Sequence, residues 1–387
     1  MPRKTNNTVN GNDYFLVTAT IGKRPDGSNI RKYFRGKSKS AAEDKRDEFL
    51  NDIKNGLRID YREMTIQELM QIWLFNVVKV NKAANTFDRY ESVYRNYVIN
   101  SPVAGLKVYE VQRLTLQTYY SRMRDSGYSD SQVFHFNKLL KTFFNYAVAE
   151  DYILKNPCVG IEVSRKSSRP DVGKGSVDPF TDEEIKLIRD TAEGSMRVLF
   201  QLGLGTGLRR GELIGLRMKD LDLENAELTV NVALTRVKEF TSESKYEYVT
   251  RIDSPKTEGS KRTVSIPTAL IPILEQHIEF EKAKHKELEI SHNDDSLLFT
   301  SETCTPYWGK NVLTAFQRLL KRAGVRYRCF HNIRHTFATK LFEEREPTET
   351  ISKLLGHANT AITANVYISV MPKEKARTTE KLNRHFQ

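Results

Sequence analysis

Residues 164–179, SRKSSRPDVGKGSVDP, constrain the fold more than any other stretch, being rich in Ser, Gly, Pro and basic residues with no apolar periodicity. A segment of this composition has too little apolar surface to pack as an element, so it reads as a flexible, positively charged linker. The chain on either side then folds as separate bodies, and 387 residues suffice for two or three cores. Directly after the linker, Thr181 and Glu184 stand in capping-box register, which predicts a helix opening the second body.

Upstream of the linker the apolar pattern switches from strand-like to helical. Residues 14–21, YFLVTATI, are aromatic and β-branched; RPDG at 24–27 supplies turn chemistry, and a second extended run follows around 30–35, which together predict a hairpin. Ser38 or Ser40 then caps a helix over about 41–54, with Ala41, Ala42, Phe49, Leu50 and Ile53 as its apolar face. From 64 to about 160 the spacing is helical. Thr65 and Glu68 form a capping box, and further helices are expected at 85–99, 113–126 and 129–150. In the last of these, Val133, Phe136, Leu140, Phe143, Phe144 and Ala147 recur at one-face spacing, so its aromatics read as core.

Beyond the linker, residues 228–234, 248–252 and 262–267 read as short strands. Residues 181–193, 195–203, 268–289, 310–323, 332–343 and 348–356 read as helices. The expected fold class is multidomain α+β: a small N-terminal β-sheet plus helix module, an all-α bundle, and a mainly α final domain with a small antiparallel sheet.

Charge points to the kind of partner. Sixty-one Lys and Arg against forty-nine Asp and Glu give a net charge of +12, which favours a polyanion such as nucleic acid. The hairpin concentrates this charge: Lys23, Arg24, Arg31, Lys32, Arg35, Lys37 and Lys39 face only Asp26 between positions 21 and 39. A strand pair of this kind can lie against a DNA groove. Cys158, Cys304 and Cys329 are far apart and form no CxxC pair, which fits a reducing cytoplasm rather than a disulfide framework or a cysteine zinc site. No signal-peptide core and no apolar run of about 18 residues occurs, so no membrane span is expected.

The chemistry-bearing residues cluster near the C-terminus. His331, Arg334 and His335 stand at i, i+3 and i+4, so one helix places them together, while Ile333, Phe337 and Leu341 turn to a core. Histidines at i and i+4 also suit zinc, but the intervening Asn-Ile-Arg offers no glutamate base and its arginine repels a metal. ETISKLLGH reads as a helix stopped by a left-handed Gly356, with His357 projecting from its end. Tyr367, ten residues further on, offers a hydroxyl that can attack a phosphate. Arg209 in TGLRRGE and Lys256 in SPKTEGSKR complete such a site only through folding.

Taken in order, TGLRRGELIGL, PKTEGSKRTVSIP, FHNIRHTFAT, LLGH and the tyrosine ten residues beyond resemble the tyrosine recombinases of the phage and conjugative-element integrase type. The resemblance spans essentially the whole chain. It implies an arm-site DNA-binding domain at 1–58, a helical core-binding (SAM-like) domain at 62–165, a linker at 166–178 and a catalytic domain at 179–387. It also implies Arg209 and Arg334 as phosphate-clamping arginines, Tyr367 as nucleophile, Lys256 as the hairpin lysine, and His331 and His357 as the two site histidines. Glu212 matches the acidic residue near the first arginine, and His335 reads as a buttress. Lys261 and Arg262 are expected to contact DNA phosphates, Lys261 being the competitor to Lys256 as general acid.

The activity so implied is integration or excision of a mobile element, through a 3′-phosphotyrosine intermediate and a Holliday junction, with neither metal nor ATP. The partners implied are double-stranded attachment sites, three further copies forming a homotetramer on DNA, an excisionase and a host DNA-bending protein. A charged tail at 373–387, with Leu382 and Phe386 as apolar anchors, is expected to pack on a neighbouring protomer. The competing readings are a DNA-relaxing enzyme resembling the type IB topoisomerases and a non-catalytic DNA-binding regulator.

Overall fold

The computed structural model describes residues 7–9, 12–23, 29–54, 64–163, 178–242, 245–253, 261–357, 360 and 363–364. The chain divides into two compact units, Met1–Pro170 and Asp171–Gln387.

The first unit begins with an antiparallel sheet of β1 (Asn7–Val9), β2 (Asn12–Lys23) and β3 (Asn29–Gly36), in that order. Helix α1 (Lys39–Lys54) covers one face, where Ala19, Phe34 and Phe49 are buried with Leu50 packed against them. Of the two expected caps it is Ser38 that acts: its Oγ accepts from Ala41 N at 3.1 Å. Alternation along β3 sorts its charges. Arg31, Tyr33 and Arg35 are exposed on one face, whereas Lys32 lies on the other, its Nζ 4.2 Å from the centre of the Phe49 ring. Strand β1 is not predicted by the sequence, because Asn-Thr-Val carries no alternating pattern.

The helical part holds α2 (Ile66–Ile72), α3 (Lys79–Asn81), α4 (Ala84–Val93), α5 (Arg113–Asp125) and α6 (Asp130–Ala149). Thr65 and Glu68 form the reciprocal cap at the start of α2: Thr65 N donates to Glu68 Oε2 at 2.9 Å, and Glu68 N to Thr65 Oγ1 at 3.3 Å. The expected stripe of α6 is buried throughout, and Phe143 meets Trp73 edge-on at 5.6 Å. Wider π-helical turns, Trp73–Val78 and Tyr94–Val98, continue α2 and α4, a departure from the plain helix expected at 85–99.

The second unit opens with α7 (Asp182–Thr191), capped by Thr181 and Glu184, then α8 (Gly194–Thr206) and the single turn α9 (Arg210–Leu213). Strands β4 (Leu221–Asp222), β5 (Glu227–Val230), β6 (Ala233–Phe240), β7 (Tyr246–Asp253) and β8 (Arg262–Ser265) follow. Helices α10 (Ile271–Glu287), α11 (Gly309–Arg322), α12 (His331–Glu343) and α13 (Thr348–Leu355) complete it.

Two small antiparallel sheets replace the one expected: β4-β5-β8, and the hairpin β6-β7. The run 228–234 is not one strand. It breaks where Asn231 Nδ2 donates to Asp220 Oδ1 at 3.2 Å, and the chain passes from pairing with β8 to pairing with β7. Helix α8 lies in the core, with Val198, Leu199, Phe200 and Leu202 buried, and α12 crosses it closely at Gly203. A second cluster, Phe337, Ala338, Phe342, Ile351 and Leu355, fastens α13 to α12.

Candidate active site

The site is organised by the end of α13. The last carbonyls of any helix lack intrahelical partners and carry the negative end of its dipole. Gly356, at φ 63°, stops α13 in the left-handed conformation and turns those carbonyls toward neighbouring elements. Three arginines cap three successive carbonyls: Arg262 Nε donates to Leu354 O at 2.7 Å, Arg334 Nη2 to Leu355 O at 2.6 Å, and Arg209 Nη2 to Gly356 O at 3.3 Å.

Three guanidiniums this close repel one another unless negative groups lie between them. Glu212, buried at 5% exposure, supplies the charge. Its carboxylate accepts from Arg209 Nη1 at 2.8 Å and Arg209 N at 2.9 Å, and from Arg262 Nη2 at 2.9 Å and Nη1 at 3.3 Å. Burial alone would raise the Glu212 pKa, but the hydrogen bonds and charge of Arg262, together with the donors of Arg209, hold it below the ordinary carboxylate value.

Arg334 is 2% exposed and is also anchored by Nη1 to Gly207 O at 2.9 Å. Gly207 is left-handed at φ 64°, and a Cβ there would collide with the Phe337 ring, so only glycine gives Arg334 this acceptor. Burial, then the nearby Arg209, lower the Arg334 pKa, yet it stays charged at neutral pH.

His331 is the first residue of α12, exposed at the rim, and its ring meets that of His335 edge-on at 4.7 Å. Partial loss of water and the charges of His335, Arg334 and Arg209 lower the His331 pKa to about 4. The helix N-terminus disfavours a cation there as well. Half-buried His357 is likewise lowered to about 4, by burial first and then by Arg334, Arg209, His331 and His335. Both rings are therefore neutral at pH 7. His357 Nδ1 lies 2.8 Å from Oγ1 of Thr363, which is fully buried. The whole is a cationic cluster, accessible at Arg209 and His331 and buried at Arg334, Arg262 and Glu212. Its chemistry suits a tetrahedral anion.

The fold thus brings together Arg209, Glu212, His331, Arg334, His335 and His357. Lys256 and Tyr367 lie outside the described residues, as do Arg24 and the tail 373–387. Lys261 is exposed beside β8. Arg262 corrects the sequence reading: instead of reaching outward for a phosphate it points inward, 7% exposed at its side chain, and is held by Glu212 and Leu354 O. Its direction is set by partners 50 and 92 residues away, which local pattern cannot reveal. Lys23 ends β2, and Lys37 and Lys39 are exposed, Lys39 pairing with Glu43 at 3.4 Å.

Sequence reading also missed the cation–aromatic stack on the β6-β7 hairpin. There the Arg236 guanidinium lies 4.8 Å from the Tyr248 ring centre and 4.2 Å from that of Trp308. Alternating basic and aromatic residues in TRVKEF and KYEY were the available signal.

Residues 179–374 match the model of the phage integrase family. A tyrosine recombinase XerC-like protein of Caldanaerobacter subterraneus subsp. tengcongensis is 42% identical over 387 residues, covering 99% of each chain. The ICEBs1 integrase of Bacillus subtilis is 24% identical, the match covering 86% of this chain and 88% of that one. In fold, the Tn1549 transposon integrase, solved in complex with a circular intermediate DNA, matches with a TM-score of 0.65 at 23% identity, over 81% of this chain and 99% of that one. The chain belongs to the phage integrase family and is a tyrosine-type site-specific recombinase.

Proposed function

We propose that this protein integrates and excises a mobile element by cutting and rejoining duplex DNA at attachment sites. The carrying observation is the arginine cluster, two of whose guanidiniums, Arg209 and Arg334, are fixed by backbone carbonyls and Glu212 before any DNA arrives. Donors arranged in advance lose no reorganisation energy when charge gathers on the non-bridging phosphate oxygens. Arg209 and Arg334 hold those oxygens, and His357 donates to one of them. Tyr367 Oη attacks phosphorus, its proton passing to His331, which is neutral and able to accept. The bond from phosphorus to the 5′-oxygen breaks, and Lys256 protonates that oxygen. The 3′-phosphotyrosyl link preserves the energy of the bond, so a 5′-hydroxyl from another strand reverses the step without metal or ATP.

In this reading residues 1–58 bind arm sites, 62–165 and 179–387 clamp the crossover duplex, and 166–178 join them. Four copies synapse two duplexes in the cytoplasm, assisted by an excisionase and a host bending protein. Among the described residues no helix is long and apolar enough to cross a membrane.

The test is capture on a nicked suicide duplex cut from the ends of the element, followed by peptide mapping. A DNA adduct on Tyr367, lost in Tyr367→Phe with duplex binding retained, is expected. An adduct on any other residue overturns the mechanism. Binding without any adduct identifies a DNA-binding regulator, and relaxation without strand exchange identifies a topoisomerase-like enzyme.

A further inference from the structure

Thr363 has no role in the mechanism above, yet it is completely buried and its hydroxyl lies 2.8 Å from His357 Nδ1. A hydroxyl has one proton to give, and a neutral imidazole carries one N–H. Only two arrangements are therefore open. If Nδ1 carries the ring proton and donates it to Thr363, Nε2 presents a lone pair, which repels a phosphate oxygen. If Thr363 donates to Nδ1, the proton stays on Nε2 and that nitrogen becomes a donor. The charged and titratable groups facing the ring are Arg334, Arg209, His331 and His335, and none of them carries a negative charge. In general the tautomer of a histidine is set by the hydrogen bond that its other nitrogen makes.

Thr363 also stands four residues before Tyr367, on the segment that carries the nucleophile. We propose that Thr363 is a positioning residue that fixes His357 as an Nε2–H donor to the phosphate, tying that donor state to the placement of the tyrosine segment. The inference rests on the recombinase mechanism above for its effect on the reaction, but its structural half stands apart from it.

The full-length protein and its Thr363→Val and Thr363→Ser variants separate these halves. Nitrogen NMR of the imidazoles, without DNA, is expected to show His357 as the Nε2–H tautomer in the wild type and in Thr363→Ser, and as a mixture in Thr363→Val. Single-turnover adduct formation on the nicked suicide duplex is expected to slow about tenfold in Thr363→Val, with duplex affinity unchanged, and to recover in Thr363→Ser. The deficit of the valine variant should shrink as pH falls, because an imidazolium donates from both nitrogens whatever the tautomer. A merely structural role gives a deficit that is constant with pH. A wild type already in the Nδ1–H tautomer, a valine variant with the wild-type rate, or a deficit unmoved by pH overturns the proposal. A wild type that forms no adduct at Tyr367 removes the functional reading and the catalytic half with it, whatever the NMR shows.

Discussion

The N-terminal hairpin and the active site are both rich in arginine, and they use it in opposite ways. On the hairpin, Arg31 and Arg35 flank Tyr33 on an open face, each in water, where a cation costs the fold little. In the second unit Arg209, Arg262 and Arg334 crowd around the end of one helix, compensated by Glu212 and the carbonyls of Leu354, Leu355 and Gly356. Three cations against one carboxylate leave about two positive charges, held in a site with little water, where each acts far more strongly on a phosphate. Net charge counts both regions alike; only in the second are the guanidiniums held by fixed partners, the arrangement that the mechanism proposed above requires. The first suits salt-dependent attraction to a backbone.

The sharpest way to break this contrast is Arg334→Lys, which keeps the charge but loses the fork that spans Gly207 O and Leu355 O. Single-turnover cleavage should fall by about 10²–10³-fold while duplex affinity holds. A drop of only a few-fold would show that charge alone, as on the hairpin, is enough.

Glu212→Gln attacks the compensation itself. It leaves buried guanidiniums without their counter-charge and should cost about 3 kcal/mol of stability, measured from urea transitions of the full chain at pH 7. The pH dependence follows in sign. Because its folded pKa is lowered, Glu212 contributes stability that is complete above its unfolded value and is lost as acid protonates it in the folded state. His331 and His357, lowered to about 4, act in the same direction from higher pH. Between pH 6.5 and 4 the unfolded chain binds the extra protons, so the melting temperature should fall across that window. Replacing both histidines with asparagine should flatten it.

How far the sequence carried varies with the range of the interaction concerned. The α6 stripe, the caps at Thr65 and Thr181 and the left-handed Gly356 depend on neighbours within a few residues, and all were legible. So was the family order of Arg209, His331, Arg334 and His357. The break between β5 and β6 and the inward turn of Arg262 were not, since each is decided by a partner well beyond a helical turn, 11 and 50 residues away. That α13 would gather three arginines on its last carbonyls lay beyond any local pattern.

Arg262 is the residue on which the contrast between the two regions can be sharpened most. As a phosphate contact it would behave like a hairpin arginine, and removing it would lower the salt dependence of binding by about one counterion. As a strut between Glu212 and Leu354 O, its replacement by lysine should leave that dependence unchanged. The single ammonium cannot reproduce the fork, so cleavage should slow by about tenfold. Filter binding across a salt series, run beside single-turnover cleavage, distinguishes the two.

The smallest expected effect lies on the hairpin. Arg31→Ala and Arg35→Ala remove exposed cations from the outward face, whereas Lys32→Ala removes one lying over Phe49. The first two should each weaken binding to arm-site duplex several-fold and flatten the slope of log affinity against log salt by about 0.9. Cleavage of a suicide duplex lacking arm sites should not change. Lys32→Ala should instead act mainly through the contact with Phe49, lowering stability by about 0.5–1 kcal/mol with the salt slope preserved. Equal slopes for all three variants would mean that the alternation of β3 does not decide which cations meet DNA, and the hairpin would then be a diffuse charge rather than a face.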